Sequence, residues 1–92
     1  MLSLESHPMT QWNIAFVKEQ GVNFAVAQVK DHVLANNNQA EELTIALGFK
    51  LGQPVVLLGA RQRHLYGRKD IVQFLRNVQP SRLPWRLVDI AA

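Results

Sequence analysis

Residues 12–30 read WNIAFVKEQGVNFAVAQVK, and the fold turns on them. Trp12, Ile14 and Phe16 recur at every second position, the period of a half-buried strand. Glu19-Gln20-Gly21-Val22 is a turn, in which Gly21 takes a positive φ at little cost. A second strand runs from Asn23 to Lys30. Its small residues Ala25 and Ala27 share a face with Val29, while Phe24, Val26, Gln28 and Lys30 share the other. The two strands are expected to pair as a hairpin.

Downstream, Asp31 to Asn38 reads as a loop ending in Asn36-Asn37-Asn38. Asn38 with Glu41 three residues on resembles a capping box, so a helix is expected from about Gln39 to Leu51. Ala40, Leu43, Leu47 and Leu51 fall along one helical stripe. Gly48 inside that helix costs about 1 kcal/mol relative to alanine, which close packing against the sheet would explain. Gly52 and Pro54 stop the helix. Residues 54–59 read PVVLLG, an apolar run without alternation, as expected of a central strand covered on both faces. A short strand at His64–Tyr66 would close a second hairpin. Asp70 with Gln73 starts a second helix, whose apolar stripe is Ile71, Phe74, Leu75 and Val78. Residues 85–90 form a last strand.

The order is therefore β-β-α-β-(β)-α-β. It predicts an α+β fold in a single small domain: a mixed sheet of four or five strands with two helices. Residues 1–10 read as a loose N-terminal arm and residues 11–92 as the domain. A chain of 92 residues has room for one modest core, and 48% hydrophobic against 18% charged residues excludes global disorder. With no cysteine, disulfides, thiolate metal sites and cysteine nucleophiles are excluded. No apolar run is long enough for a membrane-spanning helix. The N-terminal residues carry no secretory pattern, so a soluble cytoplasmic protein without a membrane partner is expected.

Charge is unevenly placed. Residues 1–46 hold two basic and five acidic residues; residues 47–92 hold eight basic and two acidic ones. Arg61, Arg63, His64, Arg68 and Lys69 lie in one nine-residue window. Such a window suits an anionic partner, nucleic acid or an acidic protein, and phosphate contact is its expected mode. It also suits a solvated loop that keeps the chain in solution. Other chemistry is thinly supplied. Ser3, Ser6 and Ser81 have no nucleophile-elbow setting, His7, His32 and His64 lack zinc-ligand spacing, and the glycines match no phosphate loop. No cofactor or metal is expected, and an enzyme is the less favoured class.

One constellation could bear catalysis: Asn13 on the first strand, Glu19 at the turn, and Gln28 with Lys30 on the second. Metal-dependent nucleases need carboxylates to hold Mg²⁺ and a lysine near the attacked phosphate. Residues 12–58, with the terminal Trp85-Arg86, resemble the core of restriction-endonuclease-like nucleases, archaeal Holliday-junction resolvases among them. Shared are the hairpin, the helix ending in Phe49-Lys50-Leu51-Gly52, and the Pro54-led apolar strand. The resemblance would put the family's strand aspartate at or near Asn13 and the glutamate of its Glu-x-Lys motif at Gln28. Only Lys30 keeps the family's residue type, and the glutamate-bearing N-terminal helix is missing or reduced to residues 1–10. The resemblance thus implies a chain that is inactive as a nuclease, or that binds nucleic acid without cutting it. The C-terminal half also resembles that of thioredoxin-like domains, but the redox cysteines are missing. A different reading is a structural or protein-interaction module acting as a homodimer, with Trp12, Trp85 and the exposed side of the hairpin as contacts.

Overall fold

The computed structural model describes residues 9–19 and 21–91. Strands β1 (Met9–Glu19) and β2 (Val22–Val29) form the expected antiparallel hairpin, with Glu19 opposite Val22 and Gly21 at φ +80°. The chain then crosses over through α1 (Asp31–Leu34) and α2 (Asn37–Leu51) to β3 (Val55–Gly59), parallel to β2. A parallel neighbour demands such a crossover, because a tight turn can only reverse the chain. A two-residue strand β4 (Leu65–Tyr66) pairs antiparallel with β3, and α3 (Lys69–Leu75) follows. A 3₁₀ turn at Pro80–Arg82 leads to β5 (Trp85–Ala91), which returns to pair antiparallel with β1. The sheet order is β4-β3-β2-β1-β5.

The period-two reading of the hairpin assigns its faces. Ile14, Ala25, Ala27 and Val29 pack with Ala40 and Leu47 of α2. Ala15, Phe24 and Val26 pack with Ile71 and Leu75 of α3. All of β3 is buried, with Val55 and Leu57 on the α2 side and Val56 and Leu58 on the α3 side, as its unbroken apolar run predicts. Phe24 meets Phe74 edge-to-face at 6.2 Å, a geometry adding about 1 kcal/mol to the area the rings bury. Among the described residues no helix is long and apolar enough to cross a membrane.

Several local expectations need correction. The segment before α2 is not all loop, since residues 31–34 make one helical turn. Asn36, not Asn38, caps α2: its Oδ1 accepts the Gln39 N–H at 3.0 Å. Three asparagines in a row offer three possible caps, and the backbone of Asn36 (φ −114°, ψ 106°) is the extended one a cap requires. Arg68 occupies the N-cap of α3, and Asp70 lies within its first turn. Val78 falls beyond the end of that helix. Met9 and Thr10, assigned to the N-terminal arm, belong to β1 and pair with Ala91 and Ile90. The rest of that arm, residues 1–8, lies outside the described residues.

Gly48 does not answer to packing on the sheet. A methyl group there would meet only the Gln53 carbonyl, at 3.4 Å, an ordinary contact. Gly48→Ala should therefore stabilise the protein by about 0.5–1 kcal/mol, the helix-interior penalty of glycine. An increase in the urea midpoint checks this.

Candidate nucleic-acid interface

Parallel pairing brings the C-terminal ends of β2 and β3 side by side, with Gln28 opposite Leu58 and Val29 opposite Gly59. From there the chain enters the turn that carries Arg61 and Arg63, and its backbone is pinned at several points. The Gly59 N–H donates to the His64 carbonyl and the Ala60 N–H to the Val29 carbonyl, both at 2.9 Å. Asp31 Oδ1 accepts from the N–H groups of Arg61 and Gln62, each at 3.3 Å. The carboxylate fits because residue 59 is glycine: a Cβ there would lie 2.5 Å from that oxygen. Arg63, at φ +60°, is the one non-glycine residue in the left-handed region among those described. Local strain of this kind persists where surrounding bonds enforce it.

Asp31→Ala should thus loosen the turn without touching either core. The expected loss is about 1 kcal/mol, since both hydrogen bonds are long and exposed. Asp31→Asn should keep most of it, and urea denaturation of the two variants separates the outcomes.

The side chains of Arg61 and Arg63 stay exposed and border an open groove of about 440 Å³. Asn13, Gln28, Ser81 and Trp85 line it as well. Arg63 and Pro80 also border a second, mainly apolar hollow, across which lies Arg76. Arg76 in turn borders a third depression that reaches Lys69. One continuous surface therefore carries Arg61, Arg63, Arg76 and Lys69.

Asn13 and Gln28 are brought together as the hairpin reading anticipates: Asn13 Nδ2 donates to Gln28 Oε1 at 3.1 Å. Lys30 is exposed and lies one residue past β2, with its backbone still extended (φ −69°, ψ 146°). Glu19 is not part of this group. It sits at the turn end of β1, six residues from Asn13, or about 20 Å along a strand. There it borders a different hollow with Phe24, Phe74 and Asp70.

Within the basic window, Arg68 is already engaged. Its guanidinium donates twice to the Asp70 carboxylate, at 3.0 and 2.7 Å. That hydrogen-bonded pairing holds the Asp70 carboxyl below its ordinary range and raises the Arg68 guanidinium above its own. His64 is exposed, and the contact that fixes its place is made by its backbone carbonyl.

Trp85 is the groove residue the sequence reading assigned elsewhere. It is half-buried against the Ala15–Phe24–Val26 core, and its Nε1–H donates to the Pro80 carbonyl at 2.7 Å. Trp12 is likewise partly buried, on the opposite face of the sheet. Neither tryptophan is a freely exposed contact. Among the described residues the exposed large apolar ones are Ile45, Phe49 and Leu87.

Two neutral amides supply no charge to a divalent cation, which prefers carboxylate oxygens. Among the described residues no three His, Cys, Asp or Glu side chains cluster as metal ligands. What the arrangement offers is different: exposed cations on a pinned turn beside amides, a hydroxyl and an indole. Comparison with known protein families, curated proteins and solved structures finds no match for this chain.

Proposed function

We propose that this chain is a nucleic-acid-binding relative of nuclease-like folds that holds phosphates without cutting the strand. The observation that carries this reading is the run of adjoining hollows. Arg61 and Arg63 border one of them with the hydrogen-bonded pair Asn13–Gln28, and Arg76 and Lys69 border the next two. The antiparallel β1–β2 pair, helical crossover and parallel β3 support the nuclease-like reading. Amides in place of carboxylates at residues 13 and 28 support binding over cleavage, because metal-assisted hydrolysis needs the negative oxygens.

Four cations on these adjoining hollows set an expected salt dependence. Each phosphate neutralised on duplex DNA contributes about −0.9 to the slope of log affinity against log salt, so the slope should be about −3 to −4. Fluorescence anisotropy of labelled duplex across a salt series measures it. No binding at the lowest salt would sink the proposal.

A specific observation also favours the homodimer reading. Phe49 is 89% exposed and Ile45, one turn earlier on α2, is 61% exposed. Apolar side chains so placed can pair with a second copy. The mass in solution tests this, and Phe49→Lys should return any dimer to a monomer.

A further inference from the structure

We propose that the inner end of the groove takes an unpaired nucleobase of a single strand, stacked on the Trp85 indole and hydrogen-bonded by the Asn13–Gln28 pair. This inference rests on the nucleic-acid reading above and names the part of the ligand that the arginines do not explain.

Phosphate contact needs only cations, and the groove holds more than its two arginines. Two side-chain amides line it, with Ser81 and Trp85. The Asn13–Gln28 bond uses one N–H of Asn13 and one lone pair of the Gln28 carbonyl. Among the described residues, the Asn13 carbonyl oxygen and the Gln28 amide nitrogen have no further partner. An acceptor and a donor are thus presented next to each other. Every base carries a donor next to an acceptor on its Watson–Crick edge, so the pair can hold a base without fixing its identity.

Trp85 is held in advance by its indole N–H bond to the Pro80 carbonyl and by the core beneath it. A platform already immobilised loses little entropy when a base stacks on it. The bases of a duplex are stacked on one another and cannot offer a face to an indole. An unpaired base offers a face and an edge at once. The groove, about 440 Å³, has room for one, and Arg61 and Arg63 border it where flanking phosphates would run.

The test uses the full chain and three labelled DNAs: a blunt duplex, the same duplex with a short single-stranded overhang, and that overhang made abasic. The overhang should bind on the order of tenfold more tightly than the blunt duplex, and the abasic overhang should lose that gain. Tryptophan fluorescence should be quenched by the intact overhang and not by the abasic one. Gln28→Met, similar in length but without the amide, should bring the affinity for the overhang down towards that of the blunt duplex. If all three DNAs bind equally, the base slot is wrong while phosphate binding stands. If none binds, both readings fall.

Discussion

Gly67→Ala is expected to be the most damaging single methyl group that can be added to this chain. Gly67 sits at φ +156°, and a Cβ there would lie 2.8 Å from Val56 Cγ2, 3.1 Å from Val56 Cα and 3.3 Å from the Val55 carbonyl. Two of those three atoms are backbone of the interior strand β3, and Val56 is fully buried. No rotamer change relieves the clash, so the residues joining β4 to α3 must move off β3. Backbone strain of about 1–2 kcal/mol adds to an overpacking cost of about 1–3 kcal/mol. A total near 3 kcal/mol would lower Tm by roughly 10–20 °C in a domain of this size. Thermal unfolding followed by circular dichroism checks it; a Tm within a few degrees of the parent would show that residue 67 can shift freely. The same displacement disturbs the Lys69 end of the basic surface, which Leu65, Tyr66 and Gly67 border. DNA affinity should therefore fall along with stability.

Reversing two charges should act on binding and leave the fold alone. Arg61→Glu with Arg63→Glu replaces two exposed cations on a turn whose anchors are backbone groups and Asp31. Neither side chain packs in a core, so the expected change in stability is within about 0.5 kcal/mol. Binding should suffer heavily, because two attractions to phosphate become two repulsions. At low salt the loss of duplex affinity should be on the order of 100-fold, and the salt slope should shrink by about 2. Arg68→Glu is the matched control. Its guanidinium is already held by Asp70, so its loss should cost much less affinity. A loss from Arg68→Glu as large as that from either single reversal, Arg61→Glu or Arg63→Glu, would mean that net charge, not the groove, governs binding.

Much of the architecture was legible because its signals are local. The alternation at Trp12, Ile14 and Phe16 identifies β1, and the Ala40–Leu43–Leu47–Leu51 stripe identifies the buried face of α2. The unbroken run of β3 announces burial on both sides. The caps of α2 and α3 were misplaced because several polar residues compete at each start, and only backbone angles decide among them. Glu19 could have been set aside from the hairpin geometry alone, since a turn residue cannot lie beside Asn13. Trp85 is another matter. It reaches the groove because β5 pairs with β1, placing Trp85 opposite Ala15 at the end of the chain's longest return. Pairing between strands so distant in sequence leaves no periodic trace in either one. The hollows adjoin through Leu58, Arg63, Pro80, Leu65 and Arg76, which only the packing of β3, β4 and α3 brings together, so the basic window was readable as composition but not as a groove.

Backbone amide chemical-shift mapping during titration with a single-stranded oligonucleotide tests the central claim most directly. The account predicts that shifts concentrate at Gln28, at residues 60–63, at Arg76 and at Ser81 and Trp85, including the Trp85 indole N–H. It predicts silence on the outer face of α2 around Ile45 and Phe49. Shifts confined to that outer face, or none at any concentration, would contradict it.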